Sequence, residues 1–271
     1  MKLSLTLPTL FPEPAMRAIE NVRATVQGID YEIVVASPHE FSGPDIRWVK
    51  EDAPRGAGIA SDMAAKASTG DVICPMADDA EFAPGWAQAG LQTLMQNERG
   101  RLYAVGIGQL NGMVGTVFGI YYPFFPMVRR STVEKVGGFF RPQYKHHFTD
   151  SDFAFRIWSA GGECGWTPGN YVTRLKREAD ADSAARLDAS RNASLRTDTA
   201  AFLGFWRDRY GRGWETGELR DFNIDVDPIF RMFVDKGSNT IFFNDPAFAD
   251  AHRQYRLMMA AIHQGQQGRA A

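Results

Sequence analysis

The stretch Gly70-Asp71-Val72-Ile73-Cys74-Pro75-Met76-Ala77-Asp78-Asp79-Ala80-Glu81-Phe82-Ala83-Pro84-Gly85-Trp86 decides how this chain is read. An apolar run, Val72 to Met76, stops at two adjacent carboxylates, and a Pro-Gly-Trp turn follows. A buried strand that ends on acidic residues delivers them to the C-terminal edge of a sheet, where open α/β folds bind their ligands. Two carboxylates there suit a hard divalent cation, and such a cation usually keeps company with phosphates. A plain polar loop after a strand has the same composition, so the pair alone does not choose between the two.

On the N-terminal side of this stretch, strand and helix signals alternate. Leu3 to Leu7 reads as a strand closed by Pro8-Thr9, and Pro14 to Val26 as a helix with Ala15, Ile19, Val22 and Val26 on one face. Tyr31 to Ala36 and Ile46 to Val49 read as strands, and Gly56 to Ala67 as a helix with small residues on its packing face. This order predicts a mostly parallel sheet with helices on its faces. On the C-terminal side come a helix over Trp86 to Asn97 and a strand over Leu102 to Ile107. Gly108 to Pro126, rich in Gly and aromatics, is either a hairpin or a loop lining a pocket. Val128 to Val136 reads as a short helix stopped by Gly137-Gly138. A further helix starts near Thr149, which can cap it with Asp152 three residues on. A strand around Tyr171 to Leu175 is expected to end the main sheet. Beyond it, 181–271 reads as a helical C-terminal extension packed on a first domain of 1–180, with helical spacing over Asp182 to Tyr210, Asp225 to Asp235 and Asp250 to His263.

The totals bound the function. A chain of 271 residues, 44% of them apolar, can bury a large core. A net charge of −2 gives no support for general nucleic-acid binding. Cys74 and Cys164 make neither a metal pattern nor a disulfide framework and read as small buried hydrophobes in a reducing compartment. No stretch is long and apolar enough to span a membrane. The start of the chain reads as a first strand rather than a signal peptide, so a cytoplasmic protein is expected.

Five pieces in order now form a pattern. They are Leu5-Thr6-Leu7-Pro8-Thr9; Glu32-Ile33-Val34-Val35; the small-residue segment Gly56 to Gly70; Asp78-Asp79 with Pro84-Gly85-Trp86; and Val136-Gly137-Gly138-Phe139 followed by Thr149-Asp150-Ser151-Asp152-Phe153 and Arg156. Over about residues 3–175 this set resembles the inverting GT-A glycosyltransferases of the large "family two" type. The resemblance implies an α/β GT-A fold and transfer of a sugar from a nucleotide-sugar donor to a glycan or other acceptor hydroxyl, of the kind used in building polysaccharides.

Carried over residue by residue, the resemblance makes Asp150 the catalytic base. It makes Asp79, with Asp78 beside it, the holder of a Mn²⁺ or Mg²⁺ ion. Donor contacts fall to Pro8, Thr9, Ser37, Asp62, Asp78 and Arg174. This chain departs from the family pattern in five places, one being Thr149, which replaces the family's Glu beside Asp150. Ala77 stands at the first position of the DxD motif, Ala36-Ser37 replaces an acidic residue, Asp62 stands where Asn is common, and Arg174 stands where a metal-binding His often sits. Arg174 with Lys176 and Arg177 reads either as a solvated face or as a partner for the diphosphate. His146 and His147 either reach the site or are incidental. Two other readings compete. A sugar nucleotidyltransferase would carry a Gly-rich loop where Pro8 to Pro12 stands, and is discounted. A degenerate member would bind a nucleotide or glycan without catalysis. The aromatic-rich C-terminal part leaves room for a homodimer contact.

Overall fold

The computed structural model describes residues 1–107, 115–117, 120–167, 169, 171–175 and 181–211. Seven strands form the central sheet: β1 Leu3–Pro8, β2 Tyr31–Ser37, β3 Ile46–Lys50, β4 Val72–Pro75, β6 Tyr103–Gly106, β9 Pro126–Arg129 and β10 Glu163–Trp166. Their spatial order is β10-β6-β9-β4-β1-β2-β3. β1 runs parallel to β2 and β4, β2 to β3, and β6 to β10, while β9 is antiparallel to both its neighbours. The sheet is therefore mostly parallel, as the strand–helix alternation predicts.

The helices on its faces are α1 Pro12–Thr25, α2 Ala57–Ala67, α3 Trp86–Glu98, α4 Arg130–Lys135 and α5 Thr149–Ser159, and α6 Ala181–Trp206 packs on α5 through Phe202 and Trp206. In α1, prolines occupy the first turn, where no intrahelical N–H is required, and Ala15, Ala18, Ile19 and Val22 bury one face. β4 is buried throughout, as expected of a strand covered on both sides. Cys74 and Cys164 are both buried free thiols.

Three expectations change. Val128 and Arg129, the start of the expected helix over Val128 to Val136, belong to strand β9, and only Arg130–Lys135 is helical. A four-residue β-capable run directly before a helix carries too little period to be separated from it. The strand near Tyr171, β11 Val172–Arg174, does not end the main sheet. It pairs antiparallel with β5 Ala80–Phe82 in a separate ribbon, and the sheet edge is β10. Thr149 does not cap α5: the capping residue is Phe148, at φ +62, with no side-chain bond to the helix. Of the aromatic stretch, Gly115–Val117 (β7) and Ile120–Tyr122 (β8) make a hairpin. The expected helices over Asp225 to Asp235 and Asp250 to His263 lie outside the described residues.

The parallel register sets the site. Pro8 lies opposite Ala36, Thr6 opposite Pro75, and Ser37 opposite Lys50. β1, β2, β3 and β4 therefore all exit at one sheet edge, and the residues just beyond them meet there.

Candidate active site

A cleft of about 520 Å³ opens along that edge. β1 sends Pro8 and Thr9 into it, β3 sends Glu51, and β4 sends Ala77 and Asp78. Asp150 at the start of α5 and Arg174 of β11 line it as well, and one face of α6 (Arg186, Leu187, Ser190, Arg191) forms a further wall. Among the described residues no helix is long and apolar enough to cross a membrane.

Close packing brings α5 up to the cleft. Gly56 and Gly58 open α2, and the backbone of Lys145 lies against them: the Gly58 N–H donates to the Lys145 carbonyl at 2.9 Å. A Cβ at Gly56 would come within 2.5 Å of that carbonyl, and one at Gly58 within 2.5 Å of the Thr149 methyl. Only glycine lets α2 and the segment preceding Asp150 approach this closely.

Asp150 is the second residue of α5, and its Oδ1 accepts the Ser151 N–H at 2.9 Å. The protein crowded around its carboxyl raises its pKa to about 6, against the lowering effect of that hydrogen bond. Asp152, two residues along the same helix, is fully buried and belongs to the scaffold. Its Oδ2 accepts from Arg156 Nε at 2.9 Å and its Oδ1 from Trp206 Nε1 at 2.9 Å. Arg156 in turn donates to the carbonyls of Val136, Gly138 and Phe139. The Gly-Gly-Phe turn and α5 are thus clamped together by one buried ion pair.

The two carboxylates after β4 part company. Asp78 is buried at the cleft wall, where its Oδ2 accepts the Thr9 hydroxyl proton at 2.8 Å. Asp79 is not among the cleft-lining residues. Its Oδ2 accepts from Arg174 at 2.9 Å, and Arg174 does line the cleft. The β5–β11 ribbon sets this pair: Arg174 lies opposite Ala80, and the Leu175 N–H donates to the Asp79 carbonyl at 2.7 Å.

The structure therefore gathers Pro8, Thr9, Asp78, Asp150 and Arg174 in one cleft. Ser37 and Asp62 are not brought there. Ser37 is fully buried, its Oγ accepting the His39 N–H, and Asp62 pairs with Lys66 at 2.6 Å. His146 lines the cleft and meets Ser190 Oγ at 3.1 Å. Burial, then the charges of His147 and Arg191, lower its pKa to about 4, so it is neutral at pH 7. Trp86 is a packing residue, wholly buried with its ring 4.5 Å from Phe82.

Glu51 was not singled out from sequence. It is a buried carboxyl lining the cleft, raised in pKa by burial, with its N–H bonded to the Ser37 carbonyl. An acid directly after a strand, as at Asp78, is the signal that marks it. The α6 wall was also missed, although 186, 187, 190 and 191 are helical neighbours on one face.

These residues suit a divalent cation poorly. Among the described residues no group of three or more His, Cys, Asp or Glu could hold a metal. A hard cation that shares phosphate oxygens still needs one or two carboxylates turned toward it. Oδ2 of Asp78 is engaged by Thr9, and Oδ2 of Asp79 by a guanidinium whose charge opposes a dication.

The parallel sheet, the acidic strand exits and the ribbon above them define a GT-A fold. Residues 18–156 match the family model "Glycosyl transferase family 2". The chain belongs to that family and is a glycosyltransferase by class. Solved structures of the same fold include S. aureus TarS 1–349, at 13% identity and TM-score 0.53, covering 95% of this chain and 92% of that one. The same TarS fragment in complex with UDP-GlcNAc matches at 12% identity and TM-score 0.55, with the same coverage. The mannosyltransferase PcManGT from Pyrobaculum calidifontis, in complex with GDP-Man and Mn²⁺, matches at 16% identity and TM-score 0.56, covering 96% of this chain and 86% of that one. No curated protein matches the chain in sequence.

Proposed function

We propose that the chain transfers a hexosyl-type sugar from a nucleoside-diphosphate donor to an acceptor hydroxyl, with inversion at the anomeric carbon and with Asp150 as general base. The acceptor oxygen bonds to the anomeric carbon and its proton passes to the Asp150 carboxylate. The bond from that carbon to the phosphate oxygen breaks, and the nucleoside diphosphate leaves with the electron pair. One displacement on the face opposite the leaving group inverts the centre. Pro8, Thr9, Asp78 and Arg174 border the donor, and the acceptor lies toward the α6 wall.

The observation that carries this reading is Asp150 itself. It is a carboxylate tuned to about 6, facing the cleft that also holds Asp78 and Arg174. Neighbours of the same fold with UDP-GlcNAc or GDP-Man bound support a nucleotide-sugar donor. The expected Mn²⁺ or Mg²⁺ at Asp79 and Asp78 has support from the Mn²⁺ complex of one neighbour, but one oxygen of each carboxylate is taken, by Arg174 and by Thr9, and no step here passes through a metal.

Asp150→Asn tests the reading, measured by release of nucleoside diphosphate across a panel of nucleotide sugars. General-base help is worth about 10²–10⁴-fold, and transfer is expected to fall by that factor while nucleotide-induced thermal stabilisation persists. Full activity in Asp150→Asn refutes the base. A non-catalytic binder is the second reading, favoured by Ala77 and by the Asp79–Arg174 pair. Nucleotide stabilisation with no turnover of any donor would establish it.

A further inference from the structure

The donor's diphosphate brings concentrated negative charge into a cleft whose own acids are Glu51, Asp78 and Asp150. Some cation has to meet it and to stabilise the charge that grows on the leaving group. His146 is neutral at pH 7, and the carboxylate pair after β4 is a poor metal cage. Arg186 and Arg191 of α6 also line the cleft, on the wall away from the strand exits' acids; we propose that Arg174, braced by Asp79 beside those exits, is the cation that binds the donor diphosphate and stabilises the leaving group, so nucleotide binding and transfer need no divalent metal. The proposal rests on the glycosyl-transfer reading above.

Four features support it. The antiparallel β5–β11 pairing fixes the Arg174 backbone beside the acid, opposite Ala80. Asp79 Oδ2 takes one guanidinium hydrogen bond at 2.9 Å, and Phe125 lies under the guanidinium with its ring centre 5.8 Å away. The side chain is nonetheless 46% exposed and lines the cleft, so its remaining N–H donors can reach a ligand. A guanidinium held in this way offers the planar, two-pronged geometry that phosphate oxygens accept best, without the dehydration a metal demands. Asp79 then restrains an arginine rather than coordinating an ion.

The test uses the full chain, stripped of metal with EDTA, and titrates UDP, GDP, CDP, ADP and dTDP by calorimetry and thermal shift. Expected is binding of at least one of these with an affinity that changes less than about twofold between EDTA and added Mn²⁺. Arg174→Gln is expected to lose about tenfold to a hundredfold in both conditions, with Arg174→Lys falling between. The exposed side chain makes these variants compatible with folding, and their melting temperature without nucleotide checks it. Binding that appears only with Mn²⁺ or Mg²⁺ and is reversed by EDTA overturns the proposal while leaving the glycosyl-transfer reading intact. So does an Arg174→Gln variant that binds like the parent. Absence of binding by every nucleotide in both conditions overturns the glycosyl-transfer reading, and the proposal falls with it.

Discussion

At the scale of single residues, two aspartates of one short helix have opposite fates. Asp150 faces the cleft and its pKa rises to about 6, while Asp152 two positions on is sealed in an ion pair with Arg156. The raised pKa has a stability consequence with a definite sign. The folded form of Asp150 holds its proton more tightly than the unfolded form, so its carboxyl costs nothing below about pH 4 and destabilises the fold as pH rises through 6. Asp150→Asn is therefore expected to raise the melting temperature at pH 8, with the gain shrinking to nothing near pH 4 in a pH series of thermal melts. In the parent, transfer activity is expected to fall as pH drops below about 6, where the base becomes protonated. The spacing Thr149-Asp150-Ser151-Asp152 puts both acids in a first helical turn, and helix-dipole arguments treat them alike. Neighbours from other parts of the chain separate them.

At the scale of elements, α6 holds the segment around Asp150 in place. Asp198, Phe202 and Trp206 recur every four residues and touch the Asp150 segment at three points. Asp198 is fully buried and accepts the N–H groups of Lys145, His146 and His147 at 3.2, 3.0 and 2.9 Å. Phe202 stacks on Phe148 at 4.8 Å, and Trp206 reaches Asp152. This is how Phe148 is kept at its positive φ directly before the first turn of α5. Asp198→Ala strands three part-buried N–H donors and is expected to cost about 1–3 kcal/mol in chemical denaturation. It should also lower kcat more than it weakens nucleotide binding, because Arg174 and Thr9 lie on other elements. The expected helix over Asp182 to Tyr210 was legible because its apolar spacing is long. Strands β5 and β9, of three and four residues, were missed because such runs have too few repeats for a period to show, whereas β11 was read as a strand and only its pairing partner differed.

At the scale of the whole molecule, the sheet is tied across its N-terminal half by Glu32. Its carboxylate takes hydrogen bonds from Ser4, from both the N–H and hydroxyl of Thr69, and from the Gly70 N–H, with Lys2 at 3.3 Å. Burial alone would raise its pKa, but these donors together hold it down to about 2. The sign is opposite to that of Asp150: the stabilisation is complete above pH 4.5 and is lost as pH falls toward 2. Glu32→Gln is expected to cost about 2 kcal/mol at pH 7, and the gap to the parent should close between pH 4.5 and 2 in denaturant titrations. The strands and the loop that Glu32 joins are the ones that project Thr9, Glu51 and Asp78 into the cleft, so the same tie steadies the donor side.

From its own patterning the chain specified the alternation of strands and helices, the mostly parallel sheet, the acids waiting at strand ends and the glycines before Asp150. These are local properties, set by hydrophobic period and by turn chemistry over a few residues. Which carboxylate faces the cleft was decided only in three dimensions. Asp79 turned to Arg174 and Asp78 to Thr9, partners 95 and 69 positions away, because a charged side chain at a strand exit is oriented by whatever folding brings beside it.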